Sequence, residues 1–127
     1  MNFSPHLLAE HQAHIAKQLG SSSAKPTFLV MHGGSGSTKE EIQSAVKNGV
    51  IKMNIDTDTQ WAYWDGLKNF YKKNEGFLQT QVGNPEKPDG PNKKYYDPRV
   101  WIRASEEAMI ARAKESFVAL NAANSYQ

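Results

Sequence analysis

Three glycines within four positions, Gly33-Gly34-Ser35-Gly36, follow a histidine at the end of the apolar run Phe28-Leu29-Val30-Met31. The run has no polar alternation, so it predicts a strand buried on both faces. Ser37 and Thr38, each with a glutamate three residues on, fit capping boxes and open a helix. Strand, glycine-rich turn and capped helix together predict a βα junction. Glycines let backbone N–H groups approach a ligand, and the helix N-terminus turns its positive end toward the same spot. The turn therefore predicts an anion cradle. His32 beside it is either a structural histidine or a metal ligand on these residues alone.

A second junction follows. Asn48-Gly49 stops the helix, and Val50-Ile51-Lys52-Met53-Asn54-Ile55 reads as a strand. It ends in Asp56-Thr57-Asp58-Thr59, where Thr57 and Gln60 fit a third capping box. Trp61, Trp64, Leu67, Lys68 and Tyr71 share a face of the next helix, which Gly66 weakens. Trp61, Trp64 and Trp101 are expected in a core or an interface. Ahead of all this, Ser4-Pro5 is expected to cap and open a helix with Leu7, Leu8, His11, Ile15 and Leu19 inward and Gly20 at its end. Its Glu10, His11 and His14 make a weak metal pattern, and His11 on the inward stripe argues for a structural role. After Phe77-Leu78, a long loop holds Gly83-Asn84-Pro85 to Gly90-Pro91-Asn92, a length that signals function or mobility. Asp97-Pro98 opens a last helix with Ile102, Ser105, Met109, Ala113, Phe117 and Leu120 inward.

The order α-β-α-β-α with short connections implies parallel strands and right-handed crossovers. Two parallel strands do not close a sheet, and a (β/α)8 barrel takes about 250 residues. The fold class expected for 127 residues is α/β. It is read as the C-terminal portion of a TIM barrel, the last two βα units plus C-terminal helices, and not a complete barrel. The segments are a leading helix over 1–20, two βα units over 26–80, a polar loop over 81–96 and a C-terminal helix over 97–122, all one partial domain. A net charge of +2 gives no argument for nucleic acid or an anionic membrane. With no cysteine there is no disulfide frame or thiolate metal site. No stretch approaches the roughly 20 apolar residues of a membrane span, so a cytoplasmic location is the default expectation.

Three stretches carry a family resemblance: His32-Gly33-Gly34-Ser35-Gly36-Ser37, Lys52 through Trp61, and Asn92-Lys93-Lys94-Tyr95-Tyr96-Asp97-Pro98-Arg99-Val100-Trp101. In order and spacing, over residues 26–122, the chain resembles the class II fructose-1,6-bisphosphate aldolases. The third stretch is similar to the branch of bacterial and fungal glycolytic enzymes rather than the tagatose-bisphosphate branch. The resemblance implies zinc-dependent, reversible aldol cleavage of fructose 1,6-bisphosphate to two triose phosphates. It implies His32 as a zinc ligand, Gly33 and Ser35 on one phosphate loop, and Asp56 and Thr57 on a second. It implies Asn54 as a catalytic amide at the enediolate, and Arg99 with Lys93 and Asp97 at the far phosphate, often across a subunit interface. A monovalent cation and a homodimer or higher oligomer are further implications. The family takes its other zinc ligands and its acid–base residues from earlier strands. The chain is therefore expected to lack the N-terminal part of the barrel, and alone to bind zinc loosely. The alternative is a catalytically inactive fragment that serves only as a phosphate-binding or chain-assembly unit.

Overall fold

A computed structural model describes residues 4–125, and the first three residues of the expected leading segment lie outside it. The chain divides into two compact units, Met1–Asp58 with Lys114–Gln127, and Thr59–Ala113.

The first unit begins with α1, His6–Leu19. Pro5 stands at the cap position, and no side chain caps the helix; Ser4 contributes its carbonyl to Leu7 N–H at 3.1 Å instead. Gly20 ends α1 in the left-handed conformation at φ 59° and lets Ser21 N–H reach Ala16 O at 3.0 Å, as expected of a glycine C-cap. The inward face differs from the periodicity. Gln12 is 1% exposed, whereas Leu7 is 43% and Leu19 68% exposed, and His11 is exposed. Hydrophobic spacing marks the apolar stripe, but a partner decides what is covered. Here the partner is polar backbone. The Gln12 amide donates to Thr27 O at 2.7 Å and Asn48 O at 3.2 Å, and accepts from Thr27 N–H at 3.2 Å. A Cβ on Gly49, at φ 97°, would collide with the Gln12 amide nitrogen.

Strand β1, Leu29–Met31, pairs in parallel with β2, Val50–Met53, in the register Leu29–Val50, Val30–Lys52 and Met31–Met53. Between them runs α2, Lys39–Lys47, started by the Thr38–Glu41 capping box. Of the two boxes weighed here, this one forms: Glu41 N–H donates to Thr38 Oγ1 at 3.2 Å and Thr38 N–H to the Glu41 carboxylate at 2.7 Å. Helix α2 packs on β2 and α1 on α2, around buried Ile42, Ala45 and Val50. The expectation of strands buried on both faces is not met. Phe28, Val30 and Ile51 are 80%, 50% and 64% exposed. A continuous apolar strand is covered only by layers on both sides, and this sheet has two strands.

Helix α3, Thr57–Asn74, carries the chain into the second unit. Thr57 is its first residue, one position inside the expected cap. Of the core or interface expected for Trp61 and Trp64, the core is excluded, since both are more than half exposed. A 3-10 turn over Glu75–Phe77, the short α4, Lys93–Tyr96, and α5, Pro98–Ala119, complete the chain. Gly66 is buried, and a Cβ there would lie 2.7 Å from Ala104 O, 2.8 Å from Ala108 Cβ and 2.9 Å from Ser105 Cα. The glycine that weakens α3 as a helix is thus what lets α3 and α5 touch. Along α5 the buried residues are Ser105, Ser116 and Ala119, while Met109 and Phe117, expected inward, are exposed.

Candidate functional site

Two groups of candidate residues form, one in each unit. In the first, the two strands end side by side. Asn54 N–H donates to Met31 O at 3.1 Å, and Gly34 N–H donates to Asn54 O at 2.9 Å. The ladder thus continues past β1 and β2, and His32 lies opposite Asn54. Their side chains meet, Asn54 Nδ2 to His32 Nδ1, at 2.9 Å. Both residues are exposed. The backbone turns away at Gly33, φ 69°, and Gly36, φ 83°, where only glycine sits without strain.

The N–H groups of this turn are partly spoken for. Gly34 serves Asn54, Ser37 N–H donates to Gly34 O at 3.2 Å, and Gly36 N–H faces the Asp58 carboxylate at 3.4 Å. Asp58 N–H in turn donates to Ser35 Oγ at 3.3 Å. Asp58 is a member that sequence reading missed. Its signal was its place one residue inside a helix N-terminus, where carboxylates are favoured. The turn therefore already holds an anion of its own. Asp56 and Thr57 are exposed at the start of α3, immediately before Asp58. An open cleft of about 900 Å³ runs along the turn and is lined by His32, Gly33, Ser35 and Gly36 among others.

In the second group, α4 leads through Asp97 into α5. Asp97 caps α5 as expected, accepting from Arg99 N–H at 3.0 Å. It also grips the guanidinium, from Nε at 2.9 Å and from Nη2 at 2.5 Å. The side chain of Asp97 is 14% exposed and that of Arg99 86%. The Arg99 hydrogen bonds hold the Asp97 carboxyl far below the usual carboxylate range, with the Lys93 charge helping, and Asp97 raises Arg99 in return. A two-point fork fixes the plane of a guanidinium. It leaves Nη1 outside the pair, the part of Arg99 that can meet an external anion. Lys94 instead sits over the Tyr95 ring at 4.9 Å, and Tyr95 stacks on Phe77 at 4.3 Å.

The loop before α4 is built, not slack. Asn92 is 0% exposed. Its amide donates to Thr80 O and Gly83 O, each at 2.9 Å, and accepts from the Asn84 amide at 2.9 Å. Asn84 Oδ1 accepts from Glu86 N–H at 3.0 Å and Lys87 N–H at 2.9 Å. This fixes the chain immediately before Lys93.

His32 is one imidazole, and a catalytic zinc takes three protein ligands. Among the described residues no group of three or more His, Cys, Asp or Glu side chains converges as a metal site, which disposes of the Glu10, His11 and His14 pattern. The donors of this chain alone do not fit a zinc centre.

Parallel strands whose C-terminal ends carry a glycine turn, an imidazole and an amide define an α/β chain with its candidate residues at the strand ends. A family model described as fructose-bisphosphate aldolase class-II matches residues 1–125, and the chain belongs to that family. It is 59% identical over 117 residues to a fructose-bisphosphate aldolase of Haemophilus influenzae, covering 92% of this chain and 32% of that protein. It is 54% identical over 118 residues to the class 2 fructose-bisphosphate aldolase of Escherichia coli K12, covering 93% and 33%. A crystal structure of the Campylobacter jejuni fructose-bisphosphate aldolase matches with a TM-score of 0.88 at 52% identity, over 95% of this chain and 35% of that one. The chain spans about a third of the length of the curated relatives it matches.

Proposed function

We propose that this chain is the C-terminal portion of a zinc-dependent (β/α)8 aldolase that cleaves fructose 1,6-bisphosphate, reversibly, to dihydroxyacetone phosphate and glyceraldehyde 3-phosphate. The observation that carries the reading is the meeting of His32 and Asn54 at adjacent strand ends within a chain that matches the family over residues 1–125. In the assembled barrel His32 would be one of the residues holding the zinc, which would polarise the substrate carbonyl. Asn54 offers an amide to the enediolate. Gly33, Ser35, Asp56 and Thr57 take one phosphate at the converging helix starts, and Asp58 has to yield or share the Gly36 N–H there. Arg99, its plane set by Asp97, and Lys93 take the other. The exposed faces of β1 and β2 fit strands and helices supplied by the rest of the barrel. A single partial domain over 1–127, a homodimer or higher oligomer, a monovalent cation and a cytoplasmic location complete the proposal. Among the described residues no helix is long and apolar enough to cross a membrane.

The test mixes this chain with the N-terminal two-thirds of the Haemophilus influenzae relative and zinc, and follows triose phosphate release in a coupled assay. Cleavage is expected from the mixture, abolished by His32→Ala, and absent from either part alone. A mixture that associates on gel filtration yet gives no cleavage supports a chain-assembly unit instead.

A further inference from the structure

Strand β2 carries one residue too many for its partner. Leu29 pairs with Val50, but Val30 pairs with Lys52, which leaves Ile51 without a partner across the ladder. An extra residue on one strand turns everything after it to the other face. Burial follows that turn. Val50 is buried where α2 packs on β2. In a regular strand Lys52, two places on, would share that covered face. Instead Lys52 is exposed, Met53 is half-buried and Asn54 is exposed. On β1, Val30 and His32 are exposed while Leu29 and Met31 are half-buried. The open face of the sheet thus holds Val30, Ile51 and Lys52, with His32 and Asn54 at its upper end. Residues 28–32 and 50–54 contain no aspartate or glutamate. Lys52 makes no ion pair among the described residues.

This face combines exposed apolar side chains with one unpaired ammonium. Covering the apolar residues also takes Lys52 out of water, and a buried ammonium is costly unless it is paired. Neither strand offers it an anion. We propose that Lys52 is the docking cation of this face: the segment that covers β1 and β2 brings an aspartate or glutamate to it. The proposal rests on the barrel reading above, in which that segment belongs to the part of the relatives that this chain does not span. Depth favours a protein carboxylate over a substrate anion. Lys52 lies two residues before Asn54, about 7 Å down the strand, whereas a substrate meets the chain at the strand ends. The pair also selects its partner. A covering segment without a carboxylate would leave the ammonium buried and alone, and one with a carboxylate is held in the register that brings the two charges together.

The test compares the 127-residue chain with the same chain joined to the N-terminal part of the Haemophilus influenzae relative as one full-length polypeptide. Lysine acylation read by mass spectrometry reports whether Lys52 is covered, and urea titration reports stability. Lys52 should acylate freely in the 127-residue chain and be protected in the joined one. Lys52→Met should leave the midpoint of the 127-residue chain unchanged. In the joined polypeptide it should leave a buried carboxylate unpaired and lower the midpoint by about 1 M. Lys52→Arg keeps the charge and should recover most of that loss. A joined Lys52→Met that fails to fold beside a folded Lys52→Arg counts as the same result. Free acylation of Lys52 in a joined polypeptide that cleaves fructose 1,6-bisphosphate overturns the proposal. An unchanged or raised midpoint for Lys52→Met overturns it too, because a buried lysine without a partner gains by losing its charge. Protection that appears only on adding fructose 1,6-bisphosphate makes the substrate the anion and also overturns it. A joined polypeptide that neither cleaves the substrate nor protects Lys52 overturns the barrel reading, and this proposal with it.

Discussion

Replacing Gln12 with leucine tests whether one buried amide holds the first unit together. The side chain is 1% exposed and bonds three backbone groups: Thr27 O, Thr27 N–H and Asn48 O. Those groups belong to the segment entering β1 and to the end of α2, so Gln12 ties α1 to both. Gln12→Leu removes all three bonds and offers nothing to the stranded groups. Each buried group left without a partner costs about 1–3 kcal/mol. Thr27 and Asn48 are half-buried, so water reaches part of each and the low end applies. The sum is about 3 kcal/mol, a large share of the 5–15 kcal/mol typical of a domain. With a urea slope of about 2 kcal/mol per molar, the midpoint should fall by about 1.5 M. Urea titration followed by far-ultraviolet circular dichroism measures this, and exchange of the Thr27 amide localises it. Gln12→Glu should be worse than leucine at neutral pH, because a carboxylate would face two carbonyl oxygens. It should improve as pH falls, since protonation restores one donor and the buried acid's raised pKa places that gain at mildly acid pH. A leucine variant with an unchanged midpoint would refute the reasoning and make the amide network incidental.

Gly66→Ala should destabilise the second unit although alanine is the better helix former. Separating α3 from the α5 backbone costs about 1–3 kcal/mol by overpacking against about 1 kcal/mol of propensity gained, and thermal melting gives the sign. Thr38→Ala should cost about 1 kcal/mol by removing the capping box of α2, visible as faster amide exchange at Glu41. Asp97 should stay ionised when pH falls below the range in which ordinary aspartates take up protons. The support that its grip on Arg99 lends is present above that range and lost only at lower pH still. Carbon-detected titration of the Asp97 carboxyl checks this, and Arg99→Lys should move it back toward an ordinary aspartate.

Features made by a few neighbouring residues were legible in the sequence. Gly20, the Thr38–Glu41 box, Asn48-Gly49 and the Asp97 cap are each local chemistry, and each stands where the residues put it. The two βα junctions were legible for the same reason, but the contact of His32 with Asn54 was not, because it depends on the strand register. What depends on a distant partner was not. Gln12 is polar, so hydrophobic periodicity passes over it and selects His11. Gly66 counts as a defect until α5 is seen lying against it. Asp58 reads as one acidic residue among several, because its bond to Gly36 spans 22 residues. Strands that read as fully buried have exposed faces, since burial is a property of the neighbours and not of the strand.

The loop pinned by Asn84 and Asn92 bears on how proteases will cut this chain. By composition it resembles the Ser21–Lys25 stretch, polar and rich in turn formers. A protease has to draw an extended run of backbone into its cleft, so cleavage reports local opening rather than exposure. Opening the Asn84–Asn92 loop breaks the buried bonds to Thr80, Gly83 and Asn84 together. Opening residues 22–25 breaks two exposed contacts from N–H groups to serine hydroxyls. Two segments alike on paper should therefore separate in a limited digest, the first nick falling after α1 and the loop ahead of α4 surviving it.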